Sequence, residues 1–87
     1  MSILVERTPN PNAMKFTANK QLFKGEQSYP LFQGETSDYP VLNDCLDIAG
    51  VDNVFGYQHF ITIIKKPSAD WSLLKEKVIE TIEAHGY

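Results

Sequence analysis

The chain has 87 residues, 43% of them hydrophobic and 22% charged, and a formal net charge of -3. That length fits one domain, expected over residues 1–87, which buries only about two-thirds of its unfolded surface. Eleven Asp and Glu against eight scattered Lys and Arg speak against a nucleic-acid partner, whose phosphates need a concentrated cationic patch.

The first apolar run, Ile3-Leu4-Val5, stops at Glu6. It is too short for a signal core or a membrane span, so the expectation is a cytoplasmic protein with no membrane partner. Residues 2–7 read as a strand with Ile3 and Val5 on one face and Leu4 on the other. Pro9 and Pro11 end it, because proline donates nothing to a ladder. Thr8-Pro9-Asn10-Pro11-Asn12 is then a stiff turn, with two fixed φ angles and Asn side chains suited to Asx bonds. Ala13 to Ala18 reads as a second strand, Met14 and Phe16 alternating with Lys15 and Thr17. The simplest pairing is a hairpin between the two.

Residues 19–28 are polar and end in turn chemistry around Gly25. Tyr29 to Gln33 reads as a short edge strand, the only sheet position Pro30 tolerates. Ser37 or Asp38 is the expected cap of a helix from about Tyr39 to Ala49, with Pro40 in the first turn and Gly50 after the end. Its inward face would be Val41, Leu42, Cys45, Ile48 and Ala49, with Asn43, Asp44 and Asp47 outward.

Val51 to Lys66 reads as two strands folded back at Gly56-Tyr57-Gln58-His59. The second, Phe60 to Ile64, is apolar on both alternating faces and belongs in the middle of a sheet. Pro67 ends it. Ser68 or Asp70 caps a last helix whose Trp71, Leu74, Val78 and Ile82 recur at helical spacing, with Ile79 at the flank. These elements give an α+β fold: a two-layer sandwich, a mostly antiparallel sheet with two helices on one face. The far face of the central strand then needs its own cover, for which Tyr29, Phe32 and Phe55 are the aromatic candidates.

Side-chain chemistry is sparse. Cys45 is the single cysteine; on an apolar helix face it reads as a small core residue. As a nucleophile or metal ligand it would need a His or a second Cys beside it, and no such spacing exists. A direct metal site from Cys45, His59 and a carboxylate is the alternative, and a small enzyme the remaining one. Asp44 and Asp47 share a helix face and read as solvated rather than as an acid–base pair. No phosphate-cradling glycine loop is present. The Pro-Asn turn carries two readings of equal standing: a rigid connection, or a preorganised loop for a partner, which loses little entropy on binding.

Three stretches coincide with one family. TPNPNAMKF (Thr8 to Phe16), GVDNVFGYQHFITIIKK (Gly50 to Lys66) and DWSLLKEKVIETI (Asp70 to Ile82) resemble, in the same order, the N-terminal domain of the Nfu-type (NifU-related) iron–sulfur cluster scaffold proteins. In that family a separate C-terminal domain with a C-x-x-C pair holds the cluster. These residues contain no such pair, so the resemblance implies a free-standing adaptor half: a non-catalytic interaction module of iron–sulfur cluster assembly or delivery. It would be monomeric, carry no cluster on this chain alone, and bind assembly or recipient proteins. The residues the resemblance offers for that contact are Thr8, Pro9, Asn10, Pro11, Asn12, Lys15 and Phe16.

Overall fold

A computed structural model describes residues 3–87. Five strands form one antiparallel sheet: β1 (Leu4–Arg7), β2 (Ala13–Thr17), β3 (Tyr29–Phe32), β4 (Val51–Tyr57) and β5 (Phe60–Lys65). Two helices, α1 (Pro40–Leu46) and α2 (Trp71–Ala84), complete the fold. The spatial strand order is β1-β2-β5-β4-β3, so β5 is central and β3 is an edge, as Pro30 requires. Position 2, placed in the first strand from sequence, lies outside the described residues.

Strand parity decides what each face carries. Across the sheet Met14, Ile63, Val54 and Leu31 stand in one row, and Phe16, Ile61, Gly56 and Tyr29 in the next. Both rows face the helices. Ile61, Ile63 and Phe16 have no exposed surface and meet Leu42 and Cys45 of α1 and Val78 and Ile82 of α2 in one core. A bulge between Val51 and Asn53 adds one residue to β4. It lets Val51 and Val54, three apart, both be buried, which strict alternation forbids.

The segment before β3, which reads as polar, carries two core residues. Leu22 and Phe23 are buried, and their backbone N–H groups both donate to the Gln58 carbonyl, at 2.7 and 3.0 Å. Gly56 has no side chain, and the Phe23 ring occupies the space a Cβ would take there. Tyr39 meets that ring edge-on at 4.9 Å and Tyr29 lies 5.8 Å from it. Tyr29 therefore belongs to the helix side and not to the far face, because its register partner is Gly56.

The far face is covered differently from expectation. Phe32 is 54% exposed and shields little. Phe55 and Tyr57 pack on Phe60, at 6.3 and 5.8 Å, and the Lys15 Nζ lies 4.4 Å over the Phe60 ring.

The helices differ in how they start. α1 has Tyr39 at its N-cap with no side-chain cap bond. Ser37 accepts from the Tyr39 N–H at 3.1 Å, and Asn43 folds back to accept from the Ser37 N–H at 2.8 Å. Asn43 thus closes the approach to the helix instead of pointing outward. α1 ends at Leu46, which is buried, and Ala49 is exposed beyond it. α2 begins on Asp70, whose side chain accepts from the Ser72 N–H at 2.9 Å.

Two substitutions test the ring-on-glycine packing. Phe23→Ala should lower stability by about 3–5 kcal/mol and Gly56→Ala by about 1–3 kcal/mol, read from urea unfolding. Gly56→Ala combined with Phe23→Leu should cost less than the two single changes summed, because the smaller side chain makes room for the methyl. Strict additivity would show that the ring and the glycine are independent.

Candidate docking site

The Thr8–Asn12 turn joins β1 to β2 and is closed by its own polar groups. Thr8 Oγ1 lies 3.0 Å from the Asn10 carbonyl and 3.1 Å from that of Ala13, and accepts from the Asn10 N–H at 3.2 Å. Asn10 Oδ1 accepts from the Asn12 N–H at 2.9 Å, an Asx turn. Three bonds from two outside residues then clamp the loop. Lys65 of β5 donates its N–H to the Asn12 carbonyl at 2.7 Å and its Nζ to Asn12 Oδ1 at 3.1 Å. Trp71, the first residue of α2, donates its indole N–H to the Pro11 carbonyl at 3.1 Å.

The clamp leaves a cleft of about 340 Å³, in which Arg7, Met14 and Trp71 join the turn. A groove of similar size continues from those three residues to Val5, Ser72 and Lys75. Pro9, Asn10 and Pro11 are exposed, while Thr8 and Asn12 are half-buried behind them. Lys15 stands on the opposite face of the sheet. Phe16 has no exposed surface; its ring lies 6.3 Å from Trp71, so it supports the cleft from beneath. The cleft thus unites Thr8, Pro9, Asn10 and Pro11, leaves Asn12 behind them on Lys65, and separates all five from Lys15 and Phe16.

Sequence reasoning missed Arg7, Met14 and Trp71 as members of this site. The hairpin register pairs Arg7 with Met14, so both share the helix-side parity. The signal for Trp71 was its position after the helix cap: an indole there buries its ring and still needs an acceptor for its N–H.

The other reactive groups are not assembled into a centre. Cys45 is fully buried in α1. Burial, reinforced by the Asp44 charge, pushes its thiol up to about 12, so no thiolate forms near neutral pH. His59 is exposed in the β4–β5 turn. Among the described residues, no group of three His, Cys, Asp or Glu side chains could hold a metal ion. Asp44 meets His85 Nε2 at 2.7 Å, tying the end of α2 to α1. Among the described residues no helix is long and apolar enough to cross a membrane.

The fold and this site define a small α+β module with a clamped loop presented at one end. Residues 3–87 match the family described as Scaffold protein Nfu/NifU N terminal, and the chain belongs to that family. It is 34% identical to a NifU-like protein of Schizosaccharomyces pombe, a match that covers 92% of this chain and 32% of that protein. It is 32% identical to an NFU1 iron–sulfur cluster scaffold homolog, described as mitochondrial, of Drosophila erecta, over 94% of this chain and 29% of the other. A Staphylococcus saprophyticus protein called conserved virulence factor C is 34% identical over 92% of this chain and 21% of its own length. The chain thus spans between a fifth and a third of these curated relatives. Among solved structures, the crystal structure of protein SAV1430 from Staphylococcus aureus superposes with a TM-score of 0.83 at 30% identity, covering 94% of this chain and 99% of that one.

The clamp is testable by removing one bond at a time. Trp71→Phe keeps an aromatic ring and loses the bond to Pro11. It should lower stability by about 1 kcal/mol and speed amide exchange at Ala13; unchanged exchange would show that the bond does not hold the turn. The cap of α2 is testable by pH. The bond from the Ser72 backbone holds the Asp70 carboxyl below its usual 3.8, helped by the Ser72 side chain and Lys65. A depressed native value contributes stability above the unfolded value and loses it as pH falls through the native one. Asp70→Asn caps without titrating, so its stability deficit should shrink as pH is lowered from neutral through 3.8. A pH-independent deficit would contradict this.

Proposed function

We propose that this chain is a non-catalytic docking module of iron–sulfur cluster assembly or delivery, which engages assembly or recipient proteins through its Thr8–Asn12 end and carries no cluster itself. The observation that carries this reading is the division of the molecule into a prebuilt loop and an inaccessible thiol. The loop is closed by its own Thr8 and Asn10 bonds and clamped by Trp71, and its prolines are exposed, so a partner meets a surface that needs little ordering. The single cysteine is buried and protonated, whereas a cysteine ligates a cluster only as the thiolate. Family membership supplies the setting: the NFU1 relatives are named as iron–sulfur cluster scaffolds.

The test is a titration of the isotopically labelled chain with purified cluster-transfer proteins. Amide shifts should concentrate at Thr8, Asn10 and Asn12 and at the Trp71 indole N–H. Absence of shifts with every such protein would overturn the reading. A companion measurement concerns the thiol: a sulfhydryl reagent should modify Cys45 only as fast as the domain unfolds, and modification in the native state would contradict its burial.

A further inference from the structure

The sheet has two edges, and they are not equivalent. β3 carries Pro30, which offers no N–H to an added strand. β1 has no proline, and among the described residues no strand lies beside its outer main-chain groups, the arrangement that accepts a further strand. Beside β1, on the helix side, runs the groove lined by Val5, Arg7, Met14, Trp71, Ser72 and Lys75. Arg7 reaches it because it shares parity with Met14. Lys75 reaches it because it stands one turn after Trp71 on α2.

Charge along this groove runs against the rest of the chain. The protein has eleven carboxylate residues and a net charge of -3. Among the described residues, no carboxylate lines the groove or the adjoining cleft. Arg7 and Lys75 are both exposed, and neither has an ion-pair partner among the described residues, where the ion pair formed is that of His85 with Asp44. Charges on an edge strand can serve merely to deter aggregation. That role explains Arg7 and Glu6 equally, but not a Lys on the facing helix or the exclusion of every carboxylate.

We infer that the β1 edge and its groove form a strand-addition site for an extended acidic segment of a partner protein. The segment pairs its main chain with Leu4–Arg7, sets carboxylates against Arg7 and Lys75, and lays an apolar side chain on Val5, Met14 and Trp71. Nucleic acid offers the same charge, but a strand edge is satisfied by main-chain amides, which it lacks. The inference rests on the docking reading above and names the chemistry of its partner.

The probe is a short synthetic peptide alternating glutamate with valine, compared with its lysine-for-glutamate counterpart and with a single-stranded oligonucleotide. The labelled chain should show amide shifts at Leu4–Arg7 and at the Trp71 indole with the acidic peptide. Affinity should fall as salt rises. The double variant Arg7→Glu and Lys75→Glu, with an unchanged thermal midpoint, should bind the acidic peptide about tenfold or more weakly and prefer the basic one. The inference is overturned by an absence of binding, by affinity indifferent to charge reversal, by equal binding of the oligonucleotide, or by shifts confined to the Phe55–Phe60 face. The same double variant titrated with cluster-transfer proteins separates the two ideas. Retained binding at the turn sinks the edge site and leaves the docking reading standing, whereas wild-type chain that ignores those proteins sinks the docking reading whatever the peptide does.

Discussion

The constraint on which this molecule depends is the central place of β5. Ile61 and Ile63 point at the helices with no exposed surface, and Thr62 on the other face is also buried. A strand of this kind is stable only with neighbours on both sides and cover above and below. β2 and β4 supply the neighbours; α1 and α2 cover one face, and the Phe55–Tyr57–Phe60 cluster partly covers the other. The site inherits its position from this arrangement. Lys65, the last residue of β5, is what holds Asn12, so the end of the central strand fixes the loop that the partner would meet.

Rigidity and reactivity are placed at different ends of the logic. The apolar interior that stabilises so small a domain also takes in its one thiol and keeps it protonated. The loop, by contrast, projects from the sheet and is held from two directions, by a strand and by a helix. A surface prepared in this way can bind without first paying to order itself. The same end of the molecule also gathers the groove in which Arg7 and Lys75 stand without counter-charges among the described residues. That juxtaposition is the observation on which the proposed strand-addition site rests.

Much of the fold was legible in the sequence because it is written locally. Pro30 marked an edge, the alternation at Met14 and Phe16 marked a strand, and the spacing of Leu74, Val78 and Ile82 marked the inner face of α2. What could not be read was set by distant residues. Residues 19–28 read as polar, with no sign that Phe23 among them fills the vacancy over Gly56. Tyr29 reads as an aromatic for the far face, and its pairing with Gly56 puts it on the near one. Asn43 looked solvated until its approach to Ser37 was visible. For the site, the turn was legible by its prolines and asparagines. Arg7, Trp71 and Lys75 were not, since a hairpin register and a helix docking bring them together and no spacing in the chain records it.

The account holds that the chain acts by contact and offers no cradle for a cluster. The most direct test is anaerobic incubation of the purified chain with iron and sulfide, followed by desalting and analysis of both elements. The account expects neither to remain in stoichiometric amount; retention of stoichiometric iron and acid-labile sulfide would contradict it.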